Sequence, residues 1–126
     1  MKLVNYGAGE LTDRLTILAL KLLFGVEAGK DIAHFKTERT ALLGQIRART
    51  LNGIWFERVL DLAAVNGALW HAEDDLREIR SHDPNGGLME AAGRLGCRIQ
   101  GLNDQRATLI TQINKDAGDS EAREKP

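Results

Sequence analysis

The sequence predicts an all-α protein, an antiparallel bundle of about four helices whose last two form a long hairpin, and three observations predict it. Proline stands only at Pro84 and Pro126, so the strongest helix breaker is missing from nearly the whole chain. Apolar residues recur three and four apart through successive segments. Turn-forming residues mark the joints, at Gly7 and Gly9, at Gly25, at Asn52-Gly53, and from His82 to Gly87.

The first helix starts after the paired glycines, with Leu11, Leu15, Leu18 and Leu22 on one stripe, and the left-handed tolerance of Gly25 predicts its end. A second stripe, Ile17, Leu20 and Phe24, lies well away around the helix, so this element must be covered on two sides, by its own bundle or by another copy of the chain. A homo-oligomer is therefore expected. The second helix gathers Ala28, Ile32, Phe35, Leu42, Leu43 and Ile46 on one face. The third runs from Ile54 to about Ser81, roughly 40 Å at 1.5 Å per residue, with Trp55, Val59, Leu62, Leu69, Trp70 and Leu76 along one arc. The fourth carries Leu88, Leu95, Ile99, Leu102, Leu109, Ile110 and Ile113, and should fold back on the third. Residues 1–115 thus read as a single domain, and 116–126, charged and small, as a disordered tail.

Composition excludes several functions. With 17 lysines and arginines against 18 aspartates and glutamates, no basic field attracts nucleic acid or anionic membranes. The longest apolar run, Leu15 to Val26, is broken by Lys21 and is shorter than the roughly 20 residues of a membrane span. Glu10 and Asp13 precede it where an export signal would place bases. Cys97, the sole cysteine, has no internal disulfide partner, and a reducing cytoplasm is the expected compartment.

Polar residues on faces that should be dry carry the functional signal. Asn66 and Glu73 fall within the apolar arc of the third helix, Arg106 at the centre of that of the fourth with Asn103 at its edge, and Asp13 between Ile17 and Leu20 on the first, flanked by Glu10 and Lys21. An unpaired carboxylate or guanidinium in a core costs several kcal/mol, so Arg106 should pair with Glu73 or Asp13, and the two asparagines could fill the remaining hydrogen bonds. Arginine suits the role because its planar fork holds a carboxylate through two bonds. The candidate polar cluster is Asp13, Lys21, Asn66, Glu73, Asn103 and Arg106. One reading makes it a device that fixes helix register. The other makes it the lining of a site for a small anionic metabolite, with Arg106 and Lys21 holding the anion and Glu73 or Asp13 as acid or base. Glu10 has a simpler role at the positive end of a helix dipole, and Arg39 can lay its stem on apolar surface.

Several motifs fail their context. Met1 to Glu10 carries the first two glycines of a dinucleotide-binding turn, but Thr12 replaces the third and no second strand follows. His71-Ala72-Glu73 is half of the zinc deaminase signature, whose other half needs two cysteines. The acidic pairs Glu10 with Asp13 and Asp75 with Glu78 have the spacing with which all-α pyrophosphohydrolases hold magnesium, but Asp75 and Glu78 lie on an outer face. No metal or cofactor is expected.

Three stretches, Gly9-Glu10-Leu11 with Asp13-Arg14-Leu15-Thr16-Ile17-Leu18 and Lys21, Val65-Asn66 with Ala68-Leu69-Trp70 and Glu73-Asp74, and Asn103-Asp104 with Arg106-Ala107 and Ile113-Asn114, resemble a family of small bacterial helical proteins. The resemblance runs from about Gly9 to Asn114 and implies a bacterial origin and an all-helical fold, with no reaction attached; Gly25 to Gly53 matches less clearly. Its motif residues are the ones that patterning marks as misplaced. The function expected is that of an assembly or accessory module with a buried polar network, and the alternative is a bundle enzyme or binding protein for a small anion.

Overall fold

A computed structural model describes residues 4–82 and 89–119. These form four α-helices, α1 (Ala8–Glu27), α2 (Ala33–Arg47), α3 (Gly53–His82) and α4 (Met89–Asp116), and no strand occurs among the described residues. The turn expected over 83–87, and Leu88, lie outside them, as do residues 1–3 and 120–126.

Pairings between helices fix their directions. Arg58 meets Asp116, Leu62 packs with Ile113, and Val65 and Leu69 pack with Leu102, so α3 and α4 run antiparallel. Gly9 meets Asn114 and Asp13 meets Arg106, so α1 also opposes α4, whereas Thr12 to Trp55 and Phe24 to Trp70 make it parallel to α3. Leu11 and Leu18 of the first stripe are buried with Leu42 of α2 in a cluster joined by the half-buried Leu15, Phe35 and Ile46, and Leu22 is half-buried. Each of the buried leucines contributes about 1.5–3 kcal/mol by leaving water. The second stripe, Ile17, Leu20 and Phe24, is half-buried, and Phe24 stacks on Trp70 of α3 with ring centroids 5.3 Å apart. The chain's own third helix thus takes up part of the surface that argued for a second copy.

Three expected boundaries move, each for a local reason. α1 does not end at Gly25: it runs to Glu27, and the residue with positive φ is Gly29, at 68°. Gly29 N–H then donates to Val26 O and Lys30 N–H to Gly25 O, the paired bonds of a Schellman stop. Gly25 matters for space instead, since a Cβ there would lie 2.7 Å from Ile32 Cγ2. α2 begins at Ala33 and not at Ala28, because the Schellman turn and its exit consume residues 28–32; Asp31 Oδ1 accepts from Ala33 N–H at its start. At the other end of the chain, order does not stop at 115. α4 continues to Asp116, and Gly118, with φ 76°, builds a second Schellman stop through Gly118 N–H to Lys115 O and Asp119 N–H to Asn114 O.

Candidate functional site

The N-cap of α1 is Gly7, which has no side chain to satisfy the first amides of the helix. Residues from α4 do so instead. The turn at Gly118 aims Asp119 back along the bundle, where Oδ2 accepts from Ala8 N–H at 2.7 Å, and Asn114 Oδ1 accepts from Gly9 N–H at 2.8 Å. Approach this close requires glycine at position 9, where a Cβ would press into the Ile110 carbonyl oxygen and lie 2.9 Å from Ile110 Cγ2. Arg49 closes the junction, with Nη1 3.0 Å from Asp119 Oδ2 and Nη2 donating to Tyr6 O at 3.0 Å. Beside it Trp55 Nε1–H donates to Thr12 Oγ1 at 3.0 Å, and that hydroxyl donates to Ala8 O.

One turn further along α1 lies the polar cluster. Asp13 is only 4% exposed. Its Oδ1 accepts from Arg106 Nε at 2.9 Å and from Asn66 Nδ2 at 3.0 Å, and its Oδ2 accepts from Arg106 Nη2 at 2.6 Å. Asn66 Nδ2 also donates to Thr16 Oγ1 at 2.8 Å, whose own hydrogen goes to Asp13 O. Three helices therefore meet at one carboxylate through a two-pronged guanidinium contact and a shared amide. The hydrogen bonds to Asp13 hold the Arg106 guanidinium above arginine's ordinary range; burial pulls it down, and the charges of Asp13 and Glu73 add to the rise.

Of the six candidates, the structure joins Asp13, Asn66 and Arg106. Glu73 is exposed and acts on Arg106 only through space, so the partner of the arginine is Asp13. Asn103 is exposed on α4. Lys21 points elsewhere, its Nζ 5.4 Å from the centre of the Phe35 ring. It lines a cleft of about 380 Å³ with Phe24, Lys30, Trp70 and Arg77, and Arg106 is not part of that lining. Sequence reasoning did not single out Thr12, Thr16, Asn114 or Asp119 for the network. The signal for the last two was the pair of glycines itself: a helix that opens on Gly7 without a capping side chain needs acceptors from another element.

Neither Asp13 nor Arg106 lines any of the described cavities. The one of about 570 Å³ lies between Tyr6 and the end of α2 with Ala48 and Arg49 beyond it, and that of about 590 Å³ lies between α3 and α4 at Val65 and Leu109. Among the described residues, no three histidine, cysteine or acidic side chains converge as metal ligands, and no helix is long and apolar enough to cross a membrane. No known protein family, curated protein or solved structure matches this chain.

Proposed function

We propose that the protein is an assembly or accessory module, a small helical bundle of the bacterial cytoplasmic kind that its motifs resemble, in which the Asp13–Asn66–Arg106 network sets the register of α1, α3 and α4. Closure of that network is the observation that carries the reading. The carboxylate is spent on three hydrogen bonds inside the bundle, and the described cavities are lined by other residues. A buried carboxylate committed to partners within the bundle is a poor acid or base, but a good register mark. The Arg106 Nε–H resonance tests this. It is expected to keep its chemical shift when inorganic phosphate or a small dicarboxylate is added in excess, and a shift centred on Arg106 would return the cluster to ligand binding.

A second reading, binding of a small aromatic anion, is favoured by the Lys21 cleft, where Lys21 and Lys30 stand beside Phe24, Phe35 and Trp70, the charge of Arg77 there being answered by Asp74. Benzoate titrated against the amide and indole signals is the test: perturbation of Lys21 and Trp70 that disappears in Lys21→Ala supports it, and a flat titration removes it. A homo-oligomer is the competing assembly state, which sedimentation of the wild-type protein separates from a monomer awaiting a different partner.

A further inference from the structure

Between Phe56 and Gly67 the outward face of α3 is apolar where a surface helix is normally charged. Phe56, Leu60, Ala63 and Gly67 follow one another at helical spacings with Ala64 beside them, directly opposite the buried edge of Leu62, Val65 and Leu69. Phe56 and Leu60 each leave 57% of their surface in water. Isolated exposed apolar residues are ordinary, but a continuous stripe over three turns marks an interaction surface.

The charge along one flank says what kind of surface it is. Glu57 and Asp61 line that flank, and beyond them a groove of about 590 Å³ opens between α3 and α4, floored by Val65 and Leu109 and rimmed by Asp61 and Asp104. Among the described residues no side-chain hydrogen bond or ion pair engages these three carboxylates. Arg58, the only base between Gly53 and Gly67, is turned to α4, where its Nε lies 3.4 Å from Asp116 Oδ2.

We propose that this face docks an amphipathic helix of a partner protein, its apolar stripe laid along Phe56, Leu60 and Ala64 and its lysines or arginines set over Glu57, Asp61 and Asp104. The inference rests on the assembly-module reading and names the chemistry of the partner. A second copy is the obvious rival. In an antiparallel two-fold pairing the large residues of one α3 would meet the small residues of the other, Phe56 opposite Gly67 and Leu60 opposite Ala63. Such an axis keeps each flank on its own side, however, so Asp61 would face its own equivalent with no base to answer either charge. The acidic flank therefore disfavours a second copy and favours a basic helix.

The test uses a synthetic helical peptide of about 18 residues, five turns, with leucines on one face and lysines on the other, beside a counterpart with glutamates in place of the lysines. Fluorescence anisotropy against the wild-type protein is expected to show binding of the leucine–lysine peptide alone, weakening as salt rises. Leu60→Glu should weaken it by at least about tenfold, although that change adds an acid, because the apolar anchor is lost. Asp61→Lys provides an independent variant on the rim, with weaker binding and a shallower salt dependence expected, and far-UV circular dichroism checks that both proteins remain folded. Undiminished binding by the two folded variants, or equal binding of the glutamate peptide, overturns the proposal. So does a wild-type protein that sediments as a dimer and becomes monomeric on Leu60→Glu, which would put a second copy on this face. If the peptide fails while Arg106 stays insensitive to phosphate, only the docking face is lost; if the peptide binds while Arg106 responds, only the register reading is lost.

Discussion

Where α1 begins, charged and amide side chains tie together residues far apart in the chain, beside one local pair, Glu10 with Arg14, whereas along the outer part of the α3–α4 hairpin the described ion pairs all join residues one turn apart. Asp13 reaches Arg106, Asp119 reaches Arg49 and the amide of Ala8, and Arg58 reaches Asp116. In the outer hairpin the pairs are Arg77 with Asp74, His82 with Glu78 and Arg94 with Glu90, all within one helix. The residue types are the same, and the difference is coverage. α1 has 20 residues and α3 has 30, about 30 Å against 45 Å, so the hairpin outruns the helix that packs on it. Among the described residues, α3 buries nothing beyond Ala72 and α4 nothing before Leu102. Two helices alone leave water on their shared flank, and a charge in water gains little from a distant partner. A third helix excludes that water and makes a long-range pair worth forming.

The largest expected effect comes from breaking the inner network on one side only. Arg106→Met should cost about 3 kcal/mol in urea unfolding, the low end for a buried pair because the Arg106 side chain is one-third exposed. Adding Asp13→Leu should recover much of that loss, while adding a change at Glu73 should not, and a single variant as stable as wild type would remove the network from the account of stability. Alkaline conditions offer no shortcut. The Arg106 pKa is raised in the folded state, so its contribution is fully present below arginine's ordinary range and fades only as pH climbs through the raised value.

Gly9→Ala comes next, with an expected cost of about 1–3 kcal/mol from overpacking against the Ile110 carbonyl, read by the same unfolding curves. Its effect should not add to that of Asn114→Ala, since the two changes disturb one contact. Asp119→Ala removes an acceptor supplied to α1 from outside and should cost about 1 kcal/mol, the usual value of a helix N-cap. At the small end, Glu90→Ala or Arg94→Ala should change stability by less than about 0.5 kcal/mol, both side chains being well exposed. Hydrogen exchange sharpens the contrast without mutation: amides of α3 beyond Ala72 and of α4 before Leu102 should exchange through local opening, and those around Asp13 and Asn66 only through global unfolding.

Much of the candidate cluster was legible. Asp13, Asn66 and Arg106 break the helical pattern of their own segments, and a wheel exposes such a break because burial on a helix is periodic. Glu73 and Asn103 break it too, but they lie near the edge of coverage, where the arc of a long helix turns away from its neighbours. The wheel gives an angle and cannot give the height at which a third helix stops. Patterning does not assign Thr12 and Thr16 to the network, because a threonine can face either water or core, and its hydroxyl satisfied by a backbone carbonyl leaves no pattern.

The sequence by itself determined the all-helical class, the four segments and the faces they bury, since periodicity, turn residues and the placing of proline act within a few residues of one another. It also held both Schellman stops, in the glycines at 29 and 118. Only the tertiary structure decided that Arg106 answers Asp13 and leaves Glu73 in solvent, that the carboxylate of Asp119 caps α1, and that the apolar face of α3 stays open. Each depends on which helix lies beside which, and for how many turns. That is set by packing between segments about a hundred residues apart, for which local physical chemistry supplies the candidates but not the choice.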